Sequence, residues 1–183
     1  MKGLIFRSFL EYAEDQLGLE FVDNMLHKTE TDSNGVYTNI GTYDHIELIQ
    51  YISYICQNKG LDIDQLVESF GMYLFDFLGN TYPNLIKQYS NSLDCIYHID
   101  QTIHKNVTKI YPNAELPNLN ATFTEADKEL ILTYESSRPF MFLALGLIKG
   151  CIRHYRNRID VKMKDLSEGK HTKALFTLTC QTK

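Results

Sequence analysis

The stretch ELILTYESSRPFMFLALGLIKGCIRHYRNRIDVKM, residues 129–163, decides the fold class because its hydrophobic pattern changes twice. The extended pattern of residues 129–134 predicts a strand, and the apolar run from Phe140 predicts a helix to about residue 157. From Ile159 onward, apolar and charged residues alternate, which is typical of a strand with one solvated face. This part of the chain is therefore predicted to form a sheet that carries its own helix.

Two further strands complete the predicted sheet. Residues 116–123 have an extended pattern, and near the end of the sequence Phe176 and Leu178 alternate with threonines. The turn signal SEGKH, residues 167–171, separates this last strand from the one that begins at Ile159. The spacing predicts an antiparallel hairpin.

Earlier in the chain, the apolar residues have helical spacing. Helices are predicted over residues 3–17, 20–27, 45–58, 63–78 and 92–111, with a polar loop over residues 29–41. The predicted fold class is α+β, with a helical N-terminal subdomain and a C-terminal antiparallel β-sheet with a packed helix. The 183 residues are interpreted as one domain with a helical lobe at about 1–60 and a second lobe at about 61–183.

Charge and composition exclude several function classes. The formal net charge of −5 and the pI of about 5.6 argue against general attraction to nucleic acid or anionic lipid. No signal-peptide pattern is found, and the longest apolar run, residues 140–148, is too short to span a bilayer. We therefore expect a cytoplasmic protein that contacts neither nucleic acid nor membrane. Its four cysteines are Cys56, Cys95, Cys151 and Cys180, and their spacing predicts neither a disulfide framework nor a zinc cluster.

His104 is the first candidate for chemistry, because it lies on the apolar stripe of the helix predicted over residues 92–111. A neutral imidazole in a dry pocket is a good ligand for iron. A core histidine that is hydrogen-bonded to a neighbour is the simpler alternative. Asp100, one turn earlier, could orient a neighbour, but we interpret it as a polar residue at the edge of the stripe.

The second candidate is the set Tyr134, Ser136 and Arg138. In an extended segment alternate residues point to the same side, so two hydroxyls and a guanidinium would converge there. Such a set suits a pair of carboxylates, since arginine binds a carboxylate through two hydrogen bonds. An ordinary strand end with one surface salt bridge is the alternative.

In this order and spacing, the two candidates resemble the H-NOX family, bacterial relatives of the haem domain of soluble guanylate cyclase. The start of the chain, Met1-Lys2-Gly3 followed by Ile5, is similar to the start of that family. So are the segments IHKNVTKIYP, residues 103–112, and ELPNL, residues 115–119, the Tyr-x-Ser-x-Arg signature, and LGLIKG, residues 145–150. The resemblance covers essentially the whole chain.

The resemblance implies a cofactor and a role for each motif. Haem b would lie between the helical part and the sheet part, with His104 as the proximal ligand of its iron. Tyr134, Ser136 and Arg138 would bind the haem propionates, and Pro117 would press on the haem. With Ile5 and the apolar walls, Pro117 would bend the macrocycle.

Gas selectivity follows from the far side of the haem, where a tyrosine hydroxyl stabilises bound oxygen in some members of the family. The position of that tyrosine corresponds here to Leu143, and the positions of its polar supports correspond to Phe9 and Leu74. The residues expected to complete this pocket are Ile5, Leu78 and Leu147. The resemblance thus implies a nitric oxide sensor that excludes oxygen. A different helix phase would instead bring the hydroxyl of Tyr12 or Tyr73 into the pocket, and plain core packing also explains the apolar residues.

The resemblance further implies a mechanism and a partner. Nitric oxide would break the bond between iron and His104, freeing its helix and shifting the two lobes; carbon monoxide would be a second gas ligand. The protein would signal to a separate histidine kinase or cyclic-di-GMP enzyme, with the kinase preferred, and would itself perform no catalysis. The hairpin turn DLSEGKHTK lacks the cysteines with which some relatives bind zinc, so no zinc is expected.

Two rival functions remain open. A haem-free protein-interaction module of the same fold would leave His104 idle despite the intact signature. A haem enzyme such as a peroxidase would need polar groups on the far side of the haem, where none is assigned.

Overall fold

The computed structural model describes residues 1–124 and 129–181, and its elements confirm the predicted α+β class. The helices are α1 (Gly3–Leu17), α2 (Leu19–Lys28), α3 (His45–Lys59), α4 (Ile63–Thr81), α5 (Pro83–Ile86), α6 (Ser92–Tyr97), α7 (Lys105–Ile110) and α8 (Met141–His154). A π-helical segment, Ile99–His104, lies between α6 and α7. The strands are β1 (Asn118–Phe123), β2 (Glu129–Ser136), β3 (Ile159–Asp165) and β4 (Thr172–Cys180). No helix of the described residues is long and apolar enough to cross a membrane.

The four strands form one antiparallel sheet in the order β1-β2-β4-β3. Strand β2 alternates as expected, with Leu130, Leu132 and Tyr134 buried. In the register, Leu132 pairs with Phe176 of β4, so the buried side chains of the two central strands share one face. The apolar side of α8 packs with that face, which gives the sheet its core.

The N-terminal helices begin and end at the residues that their sequence favours. The Asp44 side chain accepts a hydrogen bond from the backbone N–H of Ile46 at 3.0 Å, which caps α3. Asp62 caps α4 in the same way, through the N–H of Gln65 at 2.9 Å. Gly60 ends α3 in the left-handed conformation with φ of 65°. These helices enclose a second, largely aromatic core.

Helices α4 and α8 connect the two cores, and they approach each other closely at glycines. A Cβ atom added to Gly146 would lie 2.0 Å from the carbonyl oxygen of Glu68 and 2.8 Å from the Cα of Gly71. The contact is flanked by ion pairs from α8 to α4, one between Lys149 and Glu68 at 2.5 Å. Since α4 packs in the helical core as well as on α8, it belongs to the contact between the two predicted lobes.

The predicted helix over residues 92–111 is not continuous. The backbone leaves the helical conformation at His98, with φ of −92° and ψ of 6°, and then continues as the π-helical segment. Apolar spacing cannot reveal this break because the stripe continues through it. Short π-helical segments in α-helices are frequent at functional sites. The short helix α5 was also missed by the pattern, although Pro83 occupies its first turn, where proline is favoured.

Candidate functional site

A cavity of about 350 Å³ lies among α1, α4, α8, the first two strands and the segment that carries His104. Its volume is within the range of roughly 300–1,000 Å³ that is usual for cofactor sites. All predicted site residues except Phe9 lie on its wall: Ile5, Leu74, Leu78, His104, Pro117, Tyr134, Ser136, Arg138, Leu143 and Leu147. Phe9 is fully buried behind the wall, where its ring packs edge-on against Phe70 with centroids 5.1 Å apart.

A larger but more open depression, of about 670 Å³, lies beside the turn between β3 and β4. Among the predicted site residues it touches only Ser136; its other lining is mostly polar and charged. It lacks the apolar walls that bury a cofactor. The candidate site is therefore the smaller, better enclosed cavity.

His104 ends the π-helical segment, and its side chain is 15% exposed. Its Nδ1 lies 3.1 Å from a carboxylate oxygen of Asp100, which is half exposed, so Asp100 lies at the edge of the stripe and also contacts the ring of a neighbour. Burial lowers the pKa of His104, and the hydrogen bond to Asp100 partly opposes that shift. Because the carboxylate can only accept, it favours the tautomer with the proton on Nδ1. Nε2 then keeps the free lone pair that a metal ligand needs.

Tyr134, Ser136 and Arg138 reach the same cavity, although the strand ends at Ser136. The backbone N–H of Arg138 donates to Ser136 Oγ at 3.0 Å, which shapes the bend after β2. The guanidinium of Arg138 donates to the carboxylate of Glu115 and, at 3.3 Å, to its backbone carbonyl. Tyr134 is buried, and burial raises the pKa of its hydroxyl, which stays protonated as a donor.

The donor set fits the carboxylates of a haem. Arg138 holds a carboxylate, that of Glu115, and this side chain is 77% exposed and therefore free to give way to a ligand. The hydroxyls of Tyr134 and Ser136 add two neutral donors at the same wall. His104 and these donors together present an iron ligand and a carboxylate-binding set to one apolar cavity.

The side of the cavity formed by α1, α4 and α8 is apolar at every predicted position. The two tyrosines that another helix phase would have brought in are not on the wall. The ring of Tyr12 packs instead on Phe70 and on Tyr73, with centroids 5.7 Å and 5.3 Å apart. On that side, neither the predicted positions nor Tyr12 and Tyr73 therefore bring a hydroxyl to the wall.

Tyr82 and Tyr111 line the cavity but were missed by sequence reasoning. Their hydroxyls are hydrogen-bonded to each other at 2.9 Å, across 29 residues of sequence. In such a pair one hydroxyl donates and the other accepts, and burial raises the pKa of Tyr82 to about 12. No local pattern marks such a pair, because it forms only when α7 ends beside the end of α4.

The described residues contain no cluster of three His, Cys, Asp or Glu side chains that could hold a metal ion. Among these residues, His104 therefore stands outside any such cluster. The absence of a zinc site stays a prediction.

Comparison with known proteins identifies the family. A family model described as haem-NO-binding matches residues 2–163. The H-NOX protein from K. algicida, solved as Fe(II) unliganded, is 33% identical, and the match covers 100% of this chain and 98% of that chain with a TM-score of 0.91. The H-NOX from Shewanella woodyi, solved bound to IWP-051 in the Fe(II)CO ligation state, is 32% identical over 99% of this chain and 95% of that chain, with a TM-score of 0.82.

A more distant protein shares the fold. The H-NOX protein from S. oneidensis in the Fe(II)NO ligation state is 23% identical, with 100% of both chains covered and a TM-score of 0.88. The matched model and the two relatives above 30% identity show that the chain belongs to the haem-NO-binding, or H-NOX, family of haem-based gas-sensor domains.

Proposed function

We propose that the protein holds haem b in this cavity, binds nitric oxide at ferrous iron and excludes oxygen. One observation carries the proposal: His104, the donors Tyr134, Ser136 and Arg138, and the apolar residues of α1, α4 and α8 all line one cavity. When bound, haem would supply a ferrous iron that takes up a diatomic gas. Relatives solved in the Fe(II)NO and Fe(II)CO ligation states support both gases as ligands.

Each residue would contribute to holding the cofactor. Nε2 of His104 would bind the iron, while Arg138 would exchange the carboxylate of Glu115 for a propionate. Tyr134 and Ser136 would donate to the remaining propionate oxygens. Pro117 and Ile5, both on the wall, would pack against the macrocycle.

Selectivity for nitric oxide over oxygen would come from the lack of a hydrogen-bond donor at the predicted positions of the apolar wall. Bound oxygen carries partial negative charge and gains stability from a hydrogen-bond donor, whereas nitric oxide binds ferrous haem with little such help. Leu74, Leu143 and Leu147 offer no donor. The wall formed by α1, α4 and α8 would thus penalise oxygen and leave nitric oxide unaffected.

Signalling would follow from the release of His104. The π-helical segment packs on β1 and continues into α7, so freeing its last residue changes what holds that segment against the sheet. A coupling of about 1–3 kcal/mol between gas and partner binding is enough for such a switch. We propose a separate cytoplasmic partner, a histidine kinase rather than a cyclic-di-GMP enzyme, and no catalysis by this chain.

An absorption spectrum of the purified protein tests the proposal. The reduced protein is recorded without oxygen, then in air, then with nitric oxide. We expect a spectrum of histidine-ligated ferrous haem that brief exposure to air leaves unchanged and that nitric oxide converts to a form without the histidine. A stable oxygen-bound spectrum would contradict the exclusion of oxygen. No haem absorption after haem is added would favour the haem-free module, and peroxide turnover would favour the enzyme.

Replacing Leu143 with tyrosine should create the missing donor. A hydrogen bond to a charged group contributes about 1.5–3 kcal/mol, so oxygen affinity should rise by about 10–100-fold. Oxygen titration of the reduced protein measures the change. Leu143→Phe is the matched control, because it adds a similar ring without the hydroxyl. Equal oxygen affinities of the two variants would show that position 143 does not face the gas.

A further inference from the structure

The hydrogen bond between Asp100 and His104 is built into one short segment. Asp100 and His104 lie one turn apart in the π-helical segment, and their side chains are 3.1 Å apart at Asp100 Oδ1 and His104 Nδ1. The local backbone, rather than a distant element, holds the carboxylate against the ring. Movement of the segment as a whole therefore does not break the pair.

A second histidine–aspartate pair, His98 with Asp94, lies on the same stretch of chain and serves as a comparison for His104 with Asp100. Asp94 lies 3.2 Å from Nδ1 of His98, with the same spacing in sequence. The side chain of His98 is 38% exposed and does not line the cavity, whereas that of His104 is 15% exposed and does. The Nδ1 atom of His98 is hydrogen-bonded to the backbone carbonyl of Asp94, at 3.0 Å, whereas that of His104 is hydrogen-bonded to a carboxylate. The two pairs thus differ in hydrogen-bond acceptor, in burial and in access to the cavity.

We propose that Asp100 is a positioning residue that sets how strongly His104 holds the haem iron, and so how readily a gas releases it. The inference rests on the proposed function, since it needs haem in the cavity. A carboxylate that accepts the Nδ1–H fixes the ring orientation and makes Nε2 a more basic ligand. Its negative charge also favours ferric over ferrous iron, which lowers the reduction potential.

The physical effect is large enough to measure. Replacing a group that orients a metal ligand typically changes metal affinity or activity by about 10–100-fold. Asp100 is half exposed, with 49% of its side chain accessible, so the lower part of that range is expected. A tenfold change in a one-electron equilibrium corresponds to about 59 mV.

Asp100→Asn is the variant to test, because the amide keeps the shape and one acceptor oxygen but removes the charge. In the ferrous, haem-loaded protein without gas, we expect resonance Raman spectroscopy to show a lower iron–histidine stretching frequency. The reduction potential should rise by about 59 mV, and nitric oxide should release His104 about tenfold faster. Asp100→Ala removes the acceptor as well and should shift the frequency further.

Asp94→Asn is the matched control, since it removes the same charge from beside a histidine that lies outside the cavity. Its frequency, potential and release rate should equal those of the wild type. If the wild type binds no haem or lacks an iron–histidine band, the proposed function itself fails. If the wild type shows the band but Asp100→Asn leaves frequency and potential unchanged, only the role of Asp100 is overturned. Shifts of equal size in Asp100→Asn and Asp94→Asn would also overturn the role of Asp100.

Discussion

Replacing His104 with alanine is expected to abolish stable haem binding. His104 lies on the cavity wall and is the proposed ligand of the iron, whereas Arg138, Tyr134 and Ser136 would hold only the propionates. Loss of an orienting partner already costs about 10–100-fold in metal affinity, so loss of the ligand itself should cost more than about 100-fold. Haem titration followed by absorption measures the affinity. The alanine should leave the fold intact, because within the described residues the His104 side chain is hydrogen-bonded only to Asp100, in the same π-helical segment.

His98→Ala is the control for this prediction. His98 also has an aspartate carboxylate one turn earlier, 3.2 Å from its Nδ1, but it does not line the cavity, so its removal should leave haem affinity unchanged. A glycine at position 104 leaves room for free imidazole, which should restore a histidine-like spectrum if the only loss is the ligand. A His104→Ala protein with the wild-type spectrum would mean that another group binds the iron.

The motifs could be predicted because their residues are close in sequence. Tyr134, Ser136 and Arg138 alternate along one strand end, so a local pattern places them on one side. The alternation of Ile159 and Val161 against charged residues likewise predicted the hairpin strands. In both cases, the extended backbone places alternate side chains on the same face of the strand.

What the sequence could not predict depends on contacts between distant elements or on a change of helical geometry. The hydroxyls of Tyr82 and Tyr111 meet only after folding, and neither segment contains a sequence pattern that predicts the contact. The break after His98 leaves the apolar stripe intact, so the periodicity does not register it. Phe9 shares the helical spacing of Ile5, but its ring packs edge-on against Phe70 in the core and does not line the cavity.

The close approach of α4 and α8 is another contact between distant elements that the sequence could not predict. Sequence patterns treat a helical glycine as a weak point, since glycine costs about 1 kcal/mol relative to alanine in a helix. In the structure, Gly71 and Gly146 are the residues that let two backbones meet where the two cores join. The functional cavity depends on that contact, because Leu74 and Leu143 reach its wall from these two helices.

Gly146→Ala is therefore expected to destabilise the protein despite the better helix propensity of alanine. The new methyl group would meet the carbonyl oxygen of Glu68 at 2.0 Å and the Cα of Gly71 at 2.8 Å. Both are backbone atoms, so the helices must separate instead of a side chain rotating away. Overpacking costs about 1–3 kcal/mol and sometimes more, and a 2.0 Å contact belongs at the upper end.

After the propensity gain of about 1 kcal/mol, the free energy of unfolding should fall by about 2 kcal/mol. For a chain of this size that lowers Tm by about 4–8 °C, measurable by circular dichroism on the haem-loaded protein. Gly79→Ala is the control, because its methyl group would meet only the end of the flexible Ile86 side chain, at 3.0 Å. Its Tm should stay level or rise, since the propensity gain is not opposed by backbone contact. If Gly146→Ala instead unfolds at the wild-type temperature, α4 and α8 separate at little cost, and the wall formed by α1, α4 and α8 would lack the rigidity that the proposed gas selectivity requires.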